Sequence, residues 1–173
     1  MQFDLDRSIQ LLSRTPATLH QLLHGLNDEW TTPNEGPETW SPYDIIGHLI
    51  HGEKTDWIHR ARIILSDDRD KTFQPFDRFA QFEASKGKSL VQLLEEFQSL
   101  RVSNLNTLQS WEISASDFQK EGEHPALGKV TLANLLSSWV VHDLGHIHQI
   151  CRVMAKQYTH EVGPWIEYLG VLK

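Results

Sequence analysis

The sequence predicts an all-α fold, a bundle of four amphipathic helices, on three observations. Four stretches repeat apolar residues at a spacing near 3.6, Pro and Gly collect between those stretches, and no strand-like alternation is long enough to build a sheet. In the first stretch Leu5, Ile9 and Leu12 continue into Leu19, Leu22, Leu23 and Leu26. Thr15–Pro16 interrupts it, either as a cap with proline at a fresh first position or as a kink. Pro33, Gly36 and Pro37 then make residues 31–39 a loop. Ser41–Pro42 reads as an N-cap followed by proline at the first helical position. The helix it opens runs through Ile45, Ile46, Leu49, Ile50, Trp57, Ile58, Ala61 and Ile64 and ends near Ser66. An irregular crossover from about Asp67 to Lys88 is expected to be pinned by Phe73, Pro75, Phe76 and Phe79. The third helix runs from about Ser89 through Leu93, Leu94, Phe97, Leu100, Leu105 and Leu108 to Trp111. Gly122, Pro125 and Gly128 mark a further loop. Beyond Thr131 the fourth helix carries Leu132, Leu135, Leu136, Trp139, Val140, Ile147, Ile150 and Met154. The tail is expected to pack down through Trp165, Tyr168 and Leu169. Four helices with one longer crossover between the second and third suggest a four-helix bundle.

A chain of 173 residues suits a single domain, residues 1–173, and 39% hydrophobic content with six Trp and seven Phe supports a packed interior. The net charge of −7 argues against a nucleic-acid partner or an anionic-membrane surface, both of which need a clustered basic footprint. Cys151, the only cysteine, forms no intrachain disulfide and no thiolate cage. No apolar run approaches ~20 residues, and the N-terminus lacks a basic-then-apolar layout, so neither a membrane span nor a signal peptide is expected. A cytoplasmic domain is expected. Its compositional oddity is ten histidines.

The densest polar cluster on a helix is His142-Asp143-Leu144-Gly145-His146-Ile147-His148-Gln149. Residues four apart share a helix face about 5–6 Å apart at Cβ, so His142 and His146 have the spacing of two ligands to one ion. Gln149 falls on the same side, and Asp143 is placed to act as an acceptor behind a ligand. The competing reading is two histidines on a solvated flank. A third ligand has to come from another element, and His48 is the best placed, because Gly47 and Gly52 beside it allow close approach. Its helix argues otherwise: Ile46, Ile50, Trp57 and Ile64 point nearly opposite His48, and only Ile45 and Leu49 lean toward it. His51 and Glu53 are rivals on adjacent faces, with Glu53 also placed to meet Arg60 or Arg62. His20 and His24, also four apart, lack a partner acid or amide and read as solvent-facing. His124, in the loop before the fourth helix, is placed to line a site mouth. Cys151 is expected within the buried arc of the fourth helix. No H-E-x-x-H, G-x-S-x-G or Walker pattern occurs.

Taken together, Trp40-Ser41-Pro42-Tyr43-Asp44-Ile45-Ile46-Gly47-His48-Leu49, the Arg60–Leu65 helix end and His142-x3-His146-x2-Gln149 resemble the DinB-like superfamily, its DinB-like and YfiT-like branches in particular. The similarity extends to His124–Leu132 and to Gly163-Pro164-Trp165, and so covers nearly the whole chain. The resemblance implies an up-down-down-up four-helix bundle, a homodimer, and a divalent metal held by three histidines, which map to His48, His142 and His146. It also implies a range of activities: thiol-dependent S-transferases or isomerases using a low-molecular-weight thiol, metal-dependent hydrolases, and members without a known reaction.

The expectation is therefore a metal-dependent enzyme acting on a small molecule. Three neutral imidazoles leave Zn²⁺ or Ni²⁺, with Fe or Mn as further candidates, its full charge and at least one open position. That suits hydrolysis or, with slightly more weight, transfer of a thiol cosubstrate to an electrophile. Gln149, Asp143 and His124 are candidates for orienting ligands or substrate. The alternative is a non-catalytic or structural metal-binding bundle that acts through a partner.

Overall fold

The structure, a computed structural model, describes residues 2–173. The first bundle helix is built of two pieces, α1 (Leu5–Leu12) and α2 (Thr15–Leu23), followed by a short turn of helix α3 (Asp28–Thr31). The second is also in two pieces, α4 (Pro42–Thr55) and α5 (Trp57–Leu65). A short α6 (Ala80–Ser85) interrupts the crossover, and α7 (Leu90–Gln109) and α8 (Leu132–Lys156) complete the bundle. Three of the long elements start on reciprocal capping boxes: Ser41 with Asp44, Ser89 with Gln92, and Thr131 with Asn134. Each box satisfies two backbone N–H groups that the first turn would otherwise leave orphaned.

Two apolar clusters fix the topology. One contains Leu12, Trp57, Ile58, Ile64, Leu105, Leu108, Leu132 and Leu136. The other contains Leu19, Leu23, Ile45, Ile46, Leu93, Phe97 and Ile150. The first bundle helix and α8 therefore run from the first cluster to the second, while the second bundle helix and α7 run the other way. The order is up-down-down-up, and the crossover at residues 66–89 must return along the whole bundle to start α7 parallel to the second helix.

Both helix breaks have a use. Ser13 and Arg14 keep right-handed helical backbone, so the first break is an interruption of the hydrogen-bond ladder, with Arg14 rather than Thr15 at the cap position. Pro16 has no N–H to offer the carbonyl of Leu12 four residues back, and that carbonyl accepts Arg101 Nη1 at 2.8 Å. At the second break Asp56 leaves the helical region (φ −113°, ψ −82°), and the Glu53 carbonyl accepts Asn104 Nδ2 at 2.8 Å. Arg101 and Asn104 of α7 thus take up backbone groups released by both breaks.

Four sequence expectations are corrected by the structure. The loop before α8 is an antiparallel hairpin, β1 (Glu121–His124) with β2 (Gly128–Thr131), in the register Gly122↔Val130. Four-residue strands are too short for alternation to register, and their anchor is remote: Phe73 N–H donates to the Glu123 carbonyl at 2.9 Å. Phe73 is buried beneath Gly122, where a Cβ would collide with its ring at 2.6 Å. Phe79, by contrast, is exposed and pins nothing. In the tail, Trp165 and Tyr168 are 70% and 81% exposed, because the segment from Gly163 turns away in 3₁₀ geometry and leans on α8 only near its end. Cys151 is exposed, since the buried arc of α8 passes through Ile150 and Val153 and a neighbouring residue lies 100° off it. Among the described residues no helix is long and apolar enough to cross a membrane.

Candidate metal centre

His48 lies in the middle of α4, and His142 and His146 lie one turn apart on the facing stretch of α8. Their Nε2 atoms converge. His142 Nε2 is 3.0 Å from His48 Nε2 and 3.1 Å from His146 Nε2, and the three candidate ligand atoms all lie within 4.8 Å of one another. Nitrogens sharing one ion at about 2.0–2.1 Å stand about 3.0–3.4 Å apart, so a single cation fits the space between these rings.

The other ring nitrogens decide the protonation state. His48 Nδ1 is 3.0 Å from Gln81 Oε1, and His146 Nδ1 is 2.8 Å from Gln149 Oε1. An amide oxygen only accepts, so both rings carry their proton on Nδ1 and turn a bare Nε2 lone pair inward. Burial, reinforced by the neighbouring histidines, pushes His48 down to about 4 and His142 down to about 2. Burial lowers His146 as well, against the opposing effects of Gln149 and the Asp143 charge. The cluster is therefore neutral at physiological pH, the form in which imidazole ligates a metal. Three inward nitrogens with at most one proton among them repel one another, and a shared cation removes that repulsion. The donor set fits a divalent ion.

Gly47 brings Gln81 into place. A Cβ there would collide with Ser85 Oγ, so its absence lets α6 lie directly on α4, with Gln81 over His48. Tyr43 holds the far end of α6, its hydroxyl within 2.6 Å of the Ser85 carbonyl and 2.8 Å of the Lys88 carbonyl. Trp40 packs against the His48 ring at 4.7 Å, Phe76 meets it edge-on at 5.5 Å, and Trp57 meets His142 at 5.1 Å. These walls leave a cleft of about 330 Å³ facing the three histidines, with Arg60, Arg78 and His124 also lining it. Among the described residues no fourth His, Cys, Asp or Glu joins the cluster.

The sequence candidates are sorted accordingly. His48, rated as outward by its own helix, is only 7% exposed, because Trp40 and the crossover cover it together with His142 and His146 of α8. Gln149 orients His146. His124 lines the cleft but stands apart from the cluster. Asp143 makes no bond to a histidine: one position beyond His142 it faces α7, where Arg101 binds it with Nη1–Oδ2 at 2.6 Å and Nη2–Oδ1 at 3.0 Å. Glu53 joins the same arginine rather than Arg60 or Arg62, and Arg60 pairs with Asp56 at 2.7 Å. His51 packs on Phe76 at 4.9 Å and lines a neighbouring cleft. His20 and His24 stack on each other, away from the cluster. Sequence reasoning missed Gln81, whose only signal was its place in a crossover long enough to return over α4.

A helical bundle with a three-histidine cluster open to a cleft is an arrangement that could hold a metal ion. The chain belongs to the DinB superfamily, whose family model matches residues 11–150. Among solved structures the fold is similar to YfiT from Bacillus subtilis, described as a probable metal-dependent hydrolase with an unusual four-helix bundle topology. The likeness has a TM-score of 0.74 at 22% identity, over 88% of this chain and 86% of that one, and it shows the shared fold. No curated protein matches the chain in sequence.

Proposed function

We propose that this protein is a metal-dependent enzyme in which His48, His142 and His146 hold one divalent cation, zinc or nickel before iron or manganese. The observation that carries this reading is the pair of glutamines that fix two of the three rings with their lone pairs inward. Histidine ligands with their distal N–H held by an acceptor are the usual arrangement of metal sites. The likeness to a probable metal-dependent hydrolase agrees with it. When bound, the ion supplies Lewis-acid activation of a nucleophile, water or a low-molecular-weight thiol, near neutral pH.

The chain's own residues do the rest. Gln81 and Gln149 set ring orientation, Trp40, Trp57 and Phe76 wall the site against water, and the cleft admits a small molecule to the face left without a protein ligand. An open position facing a cleft distinguishes this centre from a closed, four-coordinate structural site. Among the described residues no carboxylate is bonded to the cluster as a base, which favours the nucleophile that ionises more readily, a thiol over water. We read residues 1–173 as one such domain, cytoplasmic and homodimeric, in keeping with the superfamily resemblance.

The test is turnover by metal-loaded protein. Zinc- and nickel-loaded samples are assayed with several thiols and a model electrophile, and separately with an activated ester. Thiol consumption that needs metal and is abolished by His142→Ala is the expected result. Metal-dependent ester cleavage with no thiol reaction makes the protein a hydrolase. Metal loading with no turnover of any kind supports the non-catalytic alternative.

A further inference from the structure

The cleft in front of the histidines is lined by hydrogen-bond donors with few acceptors to meet them. Arg60 is 8% exposed and lies in ion-pair contact with Asp56, its Nε 2.7 Å from Oδ1 without hydrogen-bond alignment, while its Nη2 reaches the Gln74 carbonyl only at 3.4 Å. Arg78 lines the same cleft, makes no hydrogen bond or ion pair among the described residues, and stands near enough to His48 for its charge to oppose protonation there. The neighbouring Asp77 does not neutralise it: Asp77 Oδ1 accepts the N–H groups of Phe79 and Ala80 at 3.0 and 3.2 Å.

His124 contributes a third donor. The turn of the hairpin directs the N–H groups of Ala126 and Leu127 onto its Nδ1, both at 3.2 Å. A ring nitrogen that accepts carries no proton, so the proton of the neutral ring is on Nε2. Burial and the Arg60 charge lower the basicity of His124, in line with that neutral form. The sole carboxylate at the cleft wall among the described residues, Asp56, is in ion-pair contact with Arg60. A chain with net charge −7 has thus placed two guanidinium groups and an imidazole with its proton on Nε2 on the wall of one small cleft that Trp40 and Phe76 also line.

We propose that Arg78, His124 and Arg60 form a subsite for the carboxylate of a small substrate whose apolar part lies between Trp40 and Phe76. Guanidinium–carboxylate pairs combine charge with a planar fork that sets orientation, so the subsite would hold the substrate's acidic end while presenting its other end to the histidine cluster. The proposal rests on the reading of that cluster as the reactive centre, but its binding partners are side chains alone.

The probe is benzoate, with benzamide as the uncharged isostere, titrated into the full chain after chelation and again after zinc loading, and followed by NMR or calorimetry. Benzoate is expected to bind about tenfold more tightly than benzamide in both forms. Arg78→Gln, at an exposed position that tolerates change, should abolish that preference while leaving zinc stoichiometry and benzamide affinity unchanged. His124→Gln should reduce it by a smaller factor. Equal binding of the two probes, or a preference seen only with zinc present, overturns the proposal, the latter because the metal would then be the anion's partner. Failure to bind zinc with the preference intact would remove the metal reading and leave the carboxylate subsite in place.

Discussion

Two buried polar clusters lie side by side in the middle of the bundle, and they are finished differently. Around Arg101 every donor has a partner: Nε and Nη2 reach Glu53 Oε1 at 3.1 and 2.8 Å, Nη1 and Nη2 grip Asp143, and Nη1 also reaches the Leu12 carbonyl. The carboxylate of Glu53 is closed off further by Asn104 and by Trp139 Nε1. The histidine cluster, one residue from Asp143 along the chain, is left incomplete. Its inward nitrogens face one another, and His142 Nδ1 is buried without a partner among the described residues. A saturated network ties helices together, whereas a cluster with lone pairs in excess of protons has donor atoms free for a cation.

That contrast is broken most forcefully at Arg101. Replacing it by Leu leaves Glu53 and Asp143 buried without their cation and should cost about 3–5 kcal/mol in urea unfolding. A loss below about 1 kcal/mol would mean the network is not the fastening described here. His142→Ala should do the reverse. Unfolding of the metal-free protein should change little, since a repulsive contact is removed, while the stabilisation of about 2.7 kcal/mol expected from zinc at a hundred times its Kd should disappear.

The pH profile sharpens the comparison. His48 titrates at about 4 and His142 at about 2 in the folded chain, against about 6.5 when unfolded. The unfolded chain therefore binds more protons below pH 6.5, so stability is full above that value and falls as the pH drops through the range between the unfolded and folded values. A His48→Ala/His142→Ala double variant should show a shallower decline in acid unfolding of the metal-free protein, and an unchanged slope would show that other groups control it. Smaller effects are expected behind the ligands. Gln81→Leu or Gln149→Leu should weaken zinc about 10- to 100-fold in competition titrations without loss of fold. Gly47→Ala should weaken it only about threefold, because the Ser85 hydroxyl it meets can rotate away.

Much of the bundle was legible because its signals are local. Periodicity marked all four long helices, and Ser41–Pro42 marked a true capped start. The i, i+4 spacing of His142 and His146 likewise fixed their common face. The rest depended on distant contacts. The breaks at Pro16 and Asp56 acquire meaning only when α7 brings Arg101 and Asn104 to them. His48 looked solvated because its neighbours are not the apolar stripe of a wheel but polar rings of α8, His142 and His146, with Trp40, Phe76 and Gln81 from loop and crossover. Its assignment came from resemblance to a family rather than from its own periodicity. The hairpin and the exposed tail were illegible for a related reason: short strands and isolated aromatics carry too little pattern to say what they touch.

The most direct test is elemental analysis of the purified protein, paired with that of a His48→Ala/His142→Ala/His146→Ala variant prepared identically. One divalent ion per chain, lost entirely in the triple variant while the circular dichroism spectrum of the bundle is retained, is the predicted result. A folded triple variant with the same metal content as the parent would contradict it.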